Sequence, residues 1–303
     1  MSYRTHNWIL SLAFILFWNT GFIGAEYALP YTGPLTLLFW RYWLLAAFLF
    51  VYLGVHRRLQ WPGLRAVSIS GLVGILAHGV WLGCVFAALQ YGVAAGIVAL
   101  VVALQPMATG ALSGLVLKER TSPVRWAGLV TGLVGVMVAV LARTELKQTA
   151  PGFAYFIPFG SVVGITAASL IQRRLQVRKH AWRLPVDLGL FYQSLGTALA
   201  VSLPAFWAEN LATQWTPAFT GALIWLILGV SLSAYAFMWL LLNRLEATRV
   251  ASLFYFGPPV TMLMAWAAFG DHLLVTDVLG LTIIAAGVLM IQFKTKTRAR
   301  VEQ

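Results

Sequence analysis

"LVGILAHGVWLGCVFAAL", residues 72–89, is an apolar run interrupted by one histidine, His78. No Asp, Glu, Lys or Arg lies between Arg65 and Lys118. A helix of about 20 apolar residues is long enough to cross the hydrocarbon core of a bilayer. The stretch therefore predicts a transmembrane helix that carries a histidine near its middle.

The composition extends this prediction to the whole chain. Of the 303 residues, 60% are hydrophobic and 10% are charged, whereas soluble domains are about 45–50% apolar and roughly 25% charged. The long apolar runs indicate helices and not the short alternating strands of a membrane barrel. We predict an all-α polytopic membrane protein. Its ten predicted spans are residues 8–29, 34–55, 66–88, 92–117, 125–142, 152–172, 185–207, 217–242, 250–270 and 275–293.

The net charge of +12 has an uneven distribution along the chain. If both termini are cytoplasmic, the cytoplasmic segments hold 18 of the 21 Lys and Arg, the external loops hold Arg143 and Lys147, and Arg41 lies within a span. This asymmetry follows the positive-inside rule. We predict a multi-pass protein of the cell inner (cytoplasmic) membrane with cytoplasmic N- and C-termini. The positive charge then needs no nucleic acid as a partner, because topology and anionic lipid explain it.

The sequence contains an internal repeat with a shift of 152 residues. The segment that begins at Gln105 aligns without a gap with the segment that begins at Gly257. The matches include Pro106 with Pro258, Glu119 with Asp271, Gly128 with Gly280, Gly135 with Gly287 and Val136 with Val288. We predict two units, residues 1–145 and 146–303. Each unit has five spans, and since five is odd, the units have opposite orientations, as in secondary transporters and channels.

Several short motifs resemble those of a known family. Span 1 contains "WNTGF" from Trp18 to Phe22, and span 2 contains "FWRYW" around Arg41. Each repeat closes with a proline, an acidic turn and two glycines, although Asp271-His272 stands in the second copy where Glu-Arg is typical. The chain resembles EamA-type members of the drug/metabolite transporter superfamily, and among these it is most similar to bacterial aromatic amino acid exporters. The resemblance implies a ten-helix secondary transporter that exports amino acids by alternating access.

Span 3 places His78 and Trp81 on one helix face, together with Gly74, Cys84 and Val85. A polar side chain at this depth faces the bundle interior or a wet cavity. Two interpretations remain open. Either His78 is a neutral histidine bonded to a neighbouring helix, or it lines a central substrate cavity with Trp81.

Span 8 shows a similar face, with Ser231, Tyr235 and Trp239 at spacings of four residues. Core packing and cavity lining are again both open, but hydroxyl groups favour an inward face over a lipid-facing one. Other polar and aromatic residues lie at comparable depths in spans 1, 4 and 9. The predicted substrate-binding residues are Trp18, Asn19, His78, Trp81, Gln105, Tyr235, Trp239 and Tyr255.

The repeat mates Pro106 and Pro258 lie inside predicted spans. Proline removes a backbone hydrogen bond and frees carbonyl groups that a substrate ammonium or water could use. We expect either a static kink or a hinge at each position.

Glu26 and Arg41 flank the short turn between spans 1 and 2. We predict an intramembrane ion pair between them, with a structural role or a role in binding or gating.

No Asp or Glu lies at the centre of a predicted span. The predicted cavity therefore suits a neutral or zwitterionic, partly aromatic small molecule such as an amino acid. No cofactor or metal is predicted, and the chain has no nucleotide-binding "GxxxxGK[ST]" motif. If transport is coupled to protons, His78 is the central group suited to it.

The alternatives to an amino acid exporter are a multidrug or lipophilic-solute exporter, an integral-membrane enzyme, and a channel or structural membrane protein. A monomer suffices for these functions, although a homo-oligomer remains open.

Overall fold

The described part of the chain is almost entirely helical. The computed structural model describes residues 3–91, 93, 95–119, 121–141, 150–177, 182–269 and 274–292. Within these ranges the β-structure is limited to one isolated bridge, between Thr32 and Thr213. Nine helical stretches of these ranges are long and apolar enough to cross a membrane. The predicted all-α polytopic architecture is confirmed.

The helices follow the predicted spans in both repeats. In the first repeat they are Tyr3–Ala28 (span 1), Pro34–Val55 (span 2), Leu64–Gly74 with Ile75–Val80 and Trp81–Gln90 (span 3), Ala95–Val102 with Gln105–Leu117 (span 4) and Pro123–Leu141 (span 5). In the second repeat they are Gly152–Phe156 with Ile157–Val177 (span 6), Val186–Glu209 (span 7), Pro217–Trp225 with Leu226–Ala234 and Tyr235–Arg244 (span 8), Ala247–Ala251 with Ser252–Phe256 and Gly257–Phe269 (span 9), and Val275–Gln292 (span 10).

Span 4 is two short helices and not the continuous helix that its length predicts. The first ends at Val102 and the second begins at Gln105. Pro106 causes this break, because its ring clashes with the carbonyl group four residues back and it has no N–H to donate. In the observed arrangement Pro106 lies in the first turn of the second helix, where a missing N–H costs nothing.

Span 9 is interrupted at the corresponding place. A 3₁₀ segment, Ser252–Phe256, precedes the helix that begins at Gly257, so Pro258 lies in the first turn of that helix. Pro106 and Pro258 thus begin new helices and do not bend continuous ones. The proposed hinge motion at these positions remains a prediction.

Spans 3 and 8 share a second irregularity, a π-helical segment in the middle of each. The segments are Ile75–Val80 and Leu226–Ala234. The repeat shift of 152 residues carries the first segment into the second. A π turn is wider than an α turn and is frequently found at functional sites. Both repeats therefore carry the same backbone feature at the same depth.

The repeat symmetry is visible where spans 5 and 10 pack. A Cβ atom on Gly128 would lie 2.7 Å from the carbonyl oxygen of Gly287, and one on Gly135 would lie 2.8 Å from that of Gly280. Since Gly128 and Gly280 are repeat mates, as are Gly135 and Gly287, the two contacts are equivalent under the repeat. The glycines allow the two backbones to touch.

The two repeats are interlocked. Span 1 packs against spans 8 and 9 of the second repeat, and span 6 packs against spans 3 and 4 of the first. Gly24 faces Leu226 in the first contact, and Gly164 faces Leu76 in the equivalent one. Each repeat therefore completes the core of the other.

Some predictions concern residues outside the described ranges. The boundary between the units falls within residues 142–149, and the acidic turn of the second repeat lies in 270–273. Several charged or titratable residues used to predict the topology also lie outside the described ranges. They are Arg120, Arg143, Lys147, Arg178, Lys179, Asp271, His272, Lys294, Lys296, Arg298 and Arg300. The orientation in the membrane remains a prediction.

Replacement of Gly135 by alanine tests the packing of spans 5 and 10. The added methyl group would meet backbone atoms of span 10, and such overpacking costs about 1–3 kcal/mol. We expect the melting temperature in detergent to fall by several degrees. Gly114→Ala is the control, because a Cβ there has nothing within 4 Å and alanine favours a helix. Equal melting temperatures for the two variants would contradict the described contact.

Candidate functional site

An aromatic cluster occupies the middle of the bundle. The ring centre of Trp18 lies 5.2 Å from that of Trp81, 4.9 Å from Tyr235 and 4.9 Å from Phe254. These rings come from spans 1, 3, 8 and 9, so both repeats contribute. We call this group, together with His78 and Tyr42 described next, the central cluster.

His78 lies inside this cluster and is only 1% exposed. Its ring centre is 4.0 Å from that of Tyr235 and 4.9 Å from that of Tyr42. Neither ring nitrogen makes a hydrogen bond of regular geometry, but the side chain of Gln193 in span 7 interacts with the ring. The indole nitrogen of Trp81 is buried without a partner, and the hydroxyl group of Tyr42 lies beside Ser231 and Tyr235. Both interpretations of His78, a hydrogen bond to a neighbouring helix and a place in a cavity lining, remain predictions.

Side chains of other spans satisfy carbonyl groups next to the π segment of span 3. The hydroxyl group of Tyr235 donates to the carbonyl oxygen of Ala77 at 2.8 Å. The hydroxyl group of Ser161 donates to that of Trp81 at 2.9 Å. Widened turns disturb the regular hydrogen-bond ladder, and these contacts compensate without water. Tyr235 thus fixes the backbone beside His78 while its ring covers the imidazole.

Arg41 reaches the same region from span 2. Its Nε donates to the hydroxyl oxygen of Ser231 at 2.5 Å, and its guanidinium carbon lies 5.5 Å from the ring centre of Tyr42. The predicted ion pair with Glu26 is not formed in the described structure. Arg41 lies on the buried face of span 2, which packs towards span 8, whereas Glu26 is exposed at the end of span 1.

Trp239 extends the cluster by one helical turn. Its ring centre lies 6.2 Å from that of Tyr235, and its Nε1 donates to Oε1 of Gln193 at 3.0 Å. Gln193 is buried in span 7. The predicted face of span 8, formed by Ser231, Tyr235 and Trp239, is therefore turned inward as a whole.

Asn19 and Gln105 belong to two polar contacts between helices. Thr261 donates to Oδ1 of Asn19 at 3.1 Å, and Thr109 donates to Thr166 at 3.5 Å. Gln105 donates to Thr109 at 3.4 Å. Thr109 and Thr261 are repeat mates, so the two contacts join span 4 to span 6 and span 9 to span 1 in equivalent ways.

Tyr255, which the sequence predicts to line the cavity, packs against span 5 instead of the central cluster. Its ring covers Gly132 of span 5, where a Cβ would lie 2.6 Å from Cδ2 of the tyrosine. The neighbouring residue, Phe254, faces Trp18 instead. The tight 3₁₀ turns of Ser252–Phe256 cause this exchange, because they rotate the side chains away from the α-helical register.

The structure thus brings together Trp18, His78, Trp81, Tyr235 and Trp239. Asn19 contacts Thr261 of span 9, Gln105 contacts Thr109 of its own span, and Tyr255 contacts Gly132 of span 5. Sequence reasoning missed Tyr42, Gln193 and Phe254. Gln193 could have been found, because an amide in the middle of an apolar span is a polar group inside the membrane.

Within the described ranges, groups of three or more His, Cys, Asp or Glu that could hold a metal are absent.

One end of the bundle is closed by ion pairs between the repeats. Glu119, after span 4, accepts from Nε of Arg173 at 2.7 Å and from the backbone N–H of Ala247 at 3.1 Å. Arg125 of span 5 pairs with Glu246, which precedes span 9. We call this end, defined by these five residues, the closed end.

A groove of about 660 Å³ lies nearer the opposite end, between spans 1, 8 and 9. Its lining is mainly apolar and includes Thr20, Ala222, Trp225 and Met264. Thr20 is two residues from Trp18 and therefore lies on a different face of span 1 from the central cluster. The two ends of the bundle therefore differ in their packing.

Inverted five-helix repeats, interrupted helices at mid-depth and a buried polar–aromatic centre define a membrane transporter. The chain belongs to the EamA-like transporter family, which it matches over residues 7–141 and 153–293, one copy in each repeat. The predicted place in the drug/metabolite transporter superfamily agrees with this match.

Relatives of full length carry transporter names. The chain is 25% identical over 305 residues to the "Probable amino-acid metabolite efflux pump" of Salmonella typhimurium, covering 96% of this chain and 97% of that protein. It is 22% identical over 294 residues to an "Uncharacterized transporter" of Archaeoglobus fulgidus, covering 97% and 99%. A solved structure titled "Crystal structure of protein" superposes with a TM-score of 0.75 at 19% identity, covering 95% of this chain and 98% of that one, and supports the fold.

Replacement of Gln193 by leucine tests the contact with Trp239. The buried indole N–H would lose its acceptor, which costs about 1–3 kcal/mol. We expect a lower melting temperature in detergent for Gln193→Leu alone. In a Trp239→Phe background the same change should have little effect, because no donor remains to be satisfied. Equal losses in both backgrounds would show that the hydrogen bond is not responsible.

Proposed function

We propose that the protein is a secondary transporter that exports amino acids, with aromatic amino acids as its main substrates, by alternating access. The observation that carries this proposal is the central cluster, where aromatic rings, an imidazole and a guanidinium meet between the two repeats. The name of the Salmonella relative, an amino-acid metabolite efflux pump, agrees with it. We further propose that the protein lies in a bacterial inner membrane with its closed end and both termini in the cytoplasm.

The cluster suits an aromatic solute for an energetic reason. The ring of Trp18 contacts those of Trp81 and Tyr235, and aromatic pairs contribute about 0.5–1.5 kcal/mol beyond the burial of their area. A substrate ring that enters between them replaces protein–protein ring contacts by equivalent ones. The site can therefore open for an aromatic side chain at a small cost in free energy.

The different packing of the two ends fits one state of an alternating-access cycle. Ion pairs between the repeats close the proposed cytoplasmic end, and the groove between spans 1, 8 and 9 lies nearer the opposite end. Because the repeats are inverted, we expect a second state in which the end now closed by ion pairs is open and the opposite end is closed. Entry of substrate from the cytoplasm then requires Glu119 and Arg173 to separate.

An exporter of lipophilic solutes is the second candidate. The mainly apolar lining of the groove favours it, because such a surface gives lipophilic molecules a path from the membrane. Arg41 disfavours lipophilic cations, which a buried guanidinium repels. An integral-membrane enzyme is less well supported, since the family is one of transporters.

Counterflow in proteoliposomes tests the proposed substrate. Vesicles loaded with unlabelled tryptophan should take up labelled tryptophan and phenylalanine faster than vesicles loaded with threonine or glutamate. Trp81→Ala and His78→Ala should each slow this uptake about tenfold, the effect of losing about 1.4 kcal/mol of interaction with the substrate. Trp266→Ala is the matched control, since Trp266 is exposed on span 9.

Exchange that persists in both variants would show that the cluster is packing and that the binding site lies elsewhere. Exchange of lipophilic dyes but of no amino acid would favour the second candidate. In either case the elution profile in detergent distinguishes lost transport from lost folding.

A reporter cysteine tests the closed end. Ser113 is buried there, in hydrogen-bond contact with Thr248 and Glu119, and Ser113→Cys in a Cys84→Ser background can be labelled by a membrane-impermeant maleimide. Arg173→Gln should speed labelling from the cytoplasmic side about fivefold, as expected for the loss of about 1 kcal/mol that favours closure. Arg174→Gln, next to it and exposed, should leave the rate unchanged. Equal rates in the two variants would argue against a gate.

A further inference from the structure

Arg41 is a buried charge without an opposite charge beside it. The side chain is 5% exposed, and its hydrogen bond goes to the neutral oxygen of Ser231. The ring of Tyr42 lies near the guanidinium but carries no charge. Burial of an ion costs several kcal/mol unless a counter-ion or several strong hydrogen bonds compensate. The fold therefore keeps a cation in its interior at a cost that its own contacts do not recover.

The acidic side chains of the described ranges do not neutralise Arg41. Most have partners elsewhere, and one is exposed. Glu119 pairs with Arg173, Asp187 with Arg58 and Glu246 with Arg125, while Glu209 accepts from the backbone of Leu35 and Thr36, Asp277 accepts from that of Leu274, and Glu26 is exposed. The counter-ion of Arg41 is not supplied by these residues.

Hydrogen-bonding groups that lack regular partners surround the same place. The indole N–H of Trp81 is buried without a partner among the described residues. The ring nitrogens of His78 and the hydroxyl group of Tyr42 make no hydrogen bond of regular geometry, and the side chains beside them, Gln193, Ser231 and Tyr235, are neutral. Tyr42 follows Arg41 in the chain, and its ring contacts that of His78. Buried polar groups without partners indicate a ligand site or water. Here they converge on a cation, so the missing ligand is an anion that accepts hydrogen bonds.

We propose that Arg41 binds the carboxylate group of the transported molecule, with Tyr42 and His78 as additional hydrogen-bonding groups and Trp18 and Trp81 against the aromatic ring. This inference rests on the proposed transport of amino acids. It adds that a carboxylate is required for recognition and that the ammonium group is not.

The geometry of Arg41 suits this role. Because Ser231 holds Nε, the guanidinium plane is fixed and its two Nη atoms remain for an end-on pair of hydrogen bonds to a carboxylate. Ser231 belongs to the π segment of span 8, so the second repeat orients the arginine of the first. Movement of span 8 relative to span 2 would then couple binding of the anion to the conformational change.

Competition in the counterflow assay tests the proposal. Indole-3-propionate has the carboxylate of tryptophan without the ammonium, and tryptamine has the ammonium without the carboxylate. We expect indole-3-propionate to inhibit uptake of labelled tryptophan at concentrations about tenfold lower than tryptamine, because only the propionate can form the charge-assisted hydrogen bonds with Arg41. Equal inhibition, or stronger inhibition by tryptamine, would overturn the proposal.

Two variants separate binding from a structural role. Arg41→Met removes an uncompensated buried charge, so its melting temperature without substrate should equal or exceed that of the wild type. Its KM for tryptophan should rise about tenfold, and the preference for indole-3-propionate should disappear. Arg41→Lys should keep part of the affinity for tryptophan and part of the preference for indole-3-propionate, since lysine keeps the charge but lacks the planar pair of donors. Arg174→Met, at an exposed position, is the control.

Other outcomes are also decisive. If Arg41→Met does not fold, the competitor ratio is measured on Ser231→Ala, in which the guanidinium loses its fixed plane, and an unchanged ratio would contradict the proposal. If the wild type exchanges no tryptophan, the proposed function fails. Arg41 is then tested by the melting temperature of the wild type with indole-3-propionate, tryptamine or sodium chloride. Stabilisation by the carboxylate alone, reduced in Arg41→Lys, would still support an anion site, whereas equal stabilisation by chloride would reject a carboxylate site.

Discussion

A bilayer core offers no water to the polypeptide, so each backbone N–H and C=O group at that depth must find a partner in the protein. This constraint governs the centre of the molecule. Spans 3 and 8 widen into π segments, and spans 4 and 9 break before their prolines. Such backbone is tolerated only where other helices surround it. Tyr235 and Ser161 supply the hydrogen bonds that the widened span 3 needs, and both come from the second repeat.

The interlocking of the repeats follows from the same constraint. The first repeat could not hold the widened span 3 at mid-depth alone, because the compensating hydroxyl groups belong to the second repeat. The symmetry is close in the backbone, with glycines of spans 5 and 10 in equivalent contacts, but it is broken in the chemistry. The shift of 152 residues relates Arg41 to Gln193 and His78 to Val230. The symmetric scaffold therefore surrounds a polar centre that is cationic only on the side of Arg41. This asymmetry can orient a solute whose two ends differ in charge.

Much of this architecture could be predicted from the sequence, because it depends on local properties. Length and hydropathy determine whether a segment spans the membrane, and the bounds of nearly all spans followed from them. The prolines of spans 4 and 9 predicted a kink or a hinge at these positions, but not that each proline would begin a new helix. Helical spacing placed His78 beside Trp81 and turned Tyr235 and Trp239 inward, because every third or fourth residue of a helix shares a face. Spacing failed for Tyr255, which lies in a 3₁₀ segment where that periodicity no longer applies.

By itself, the sequence determined the membrane class, the two inverted repeats and the family resemblance, since hydrophobic length, an odd number of spans and motif spacing do not depend on how the helices are rotated. Only the tertiary structure decided which polar groups meet. Glu26 and Arg41 are close along the chain, and proximity suggested an ion pair. The rotation of span 2 points Arg41 at Ser231, 190 residues away, and leaves Glu26 exposed. Partners between helices depend on the rotation and depth of each helix, which the packing of the whole bundle sets.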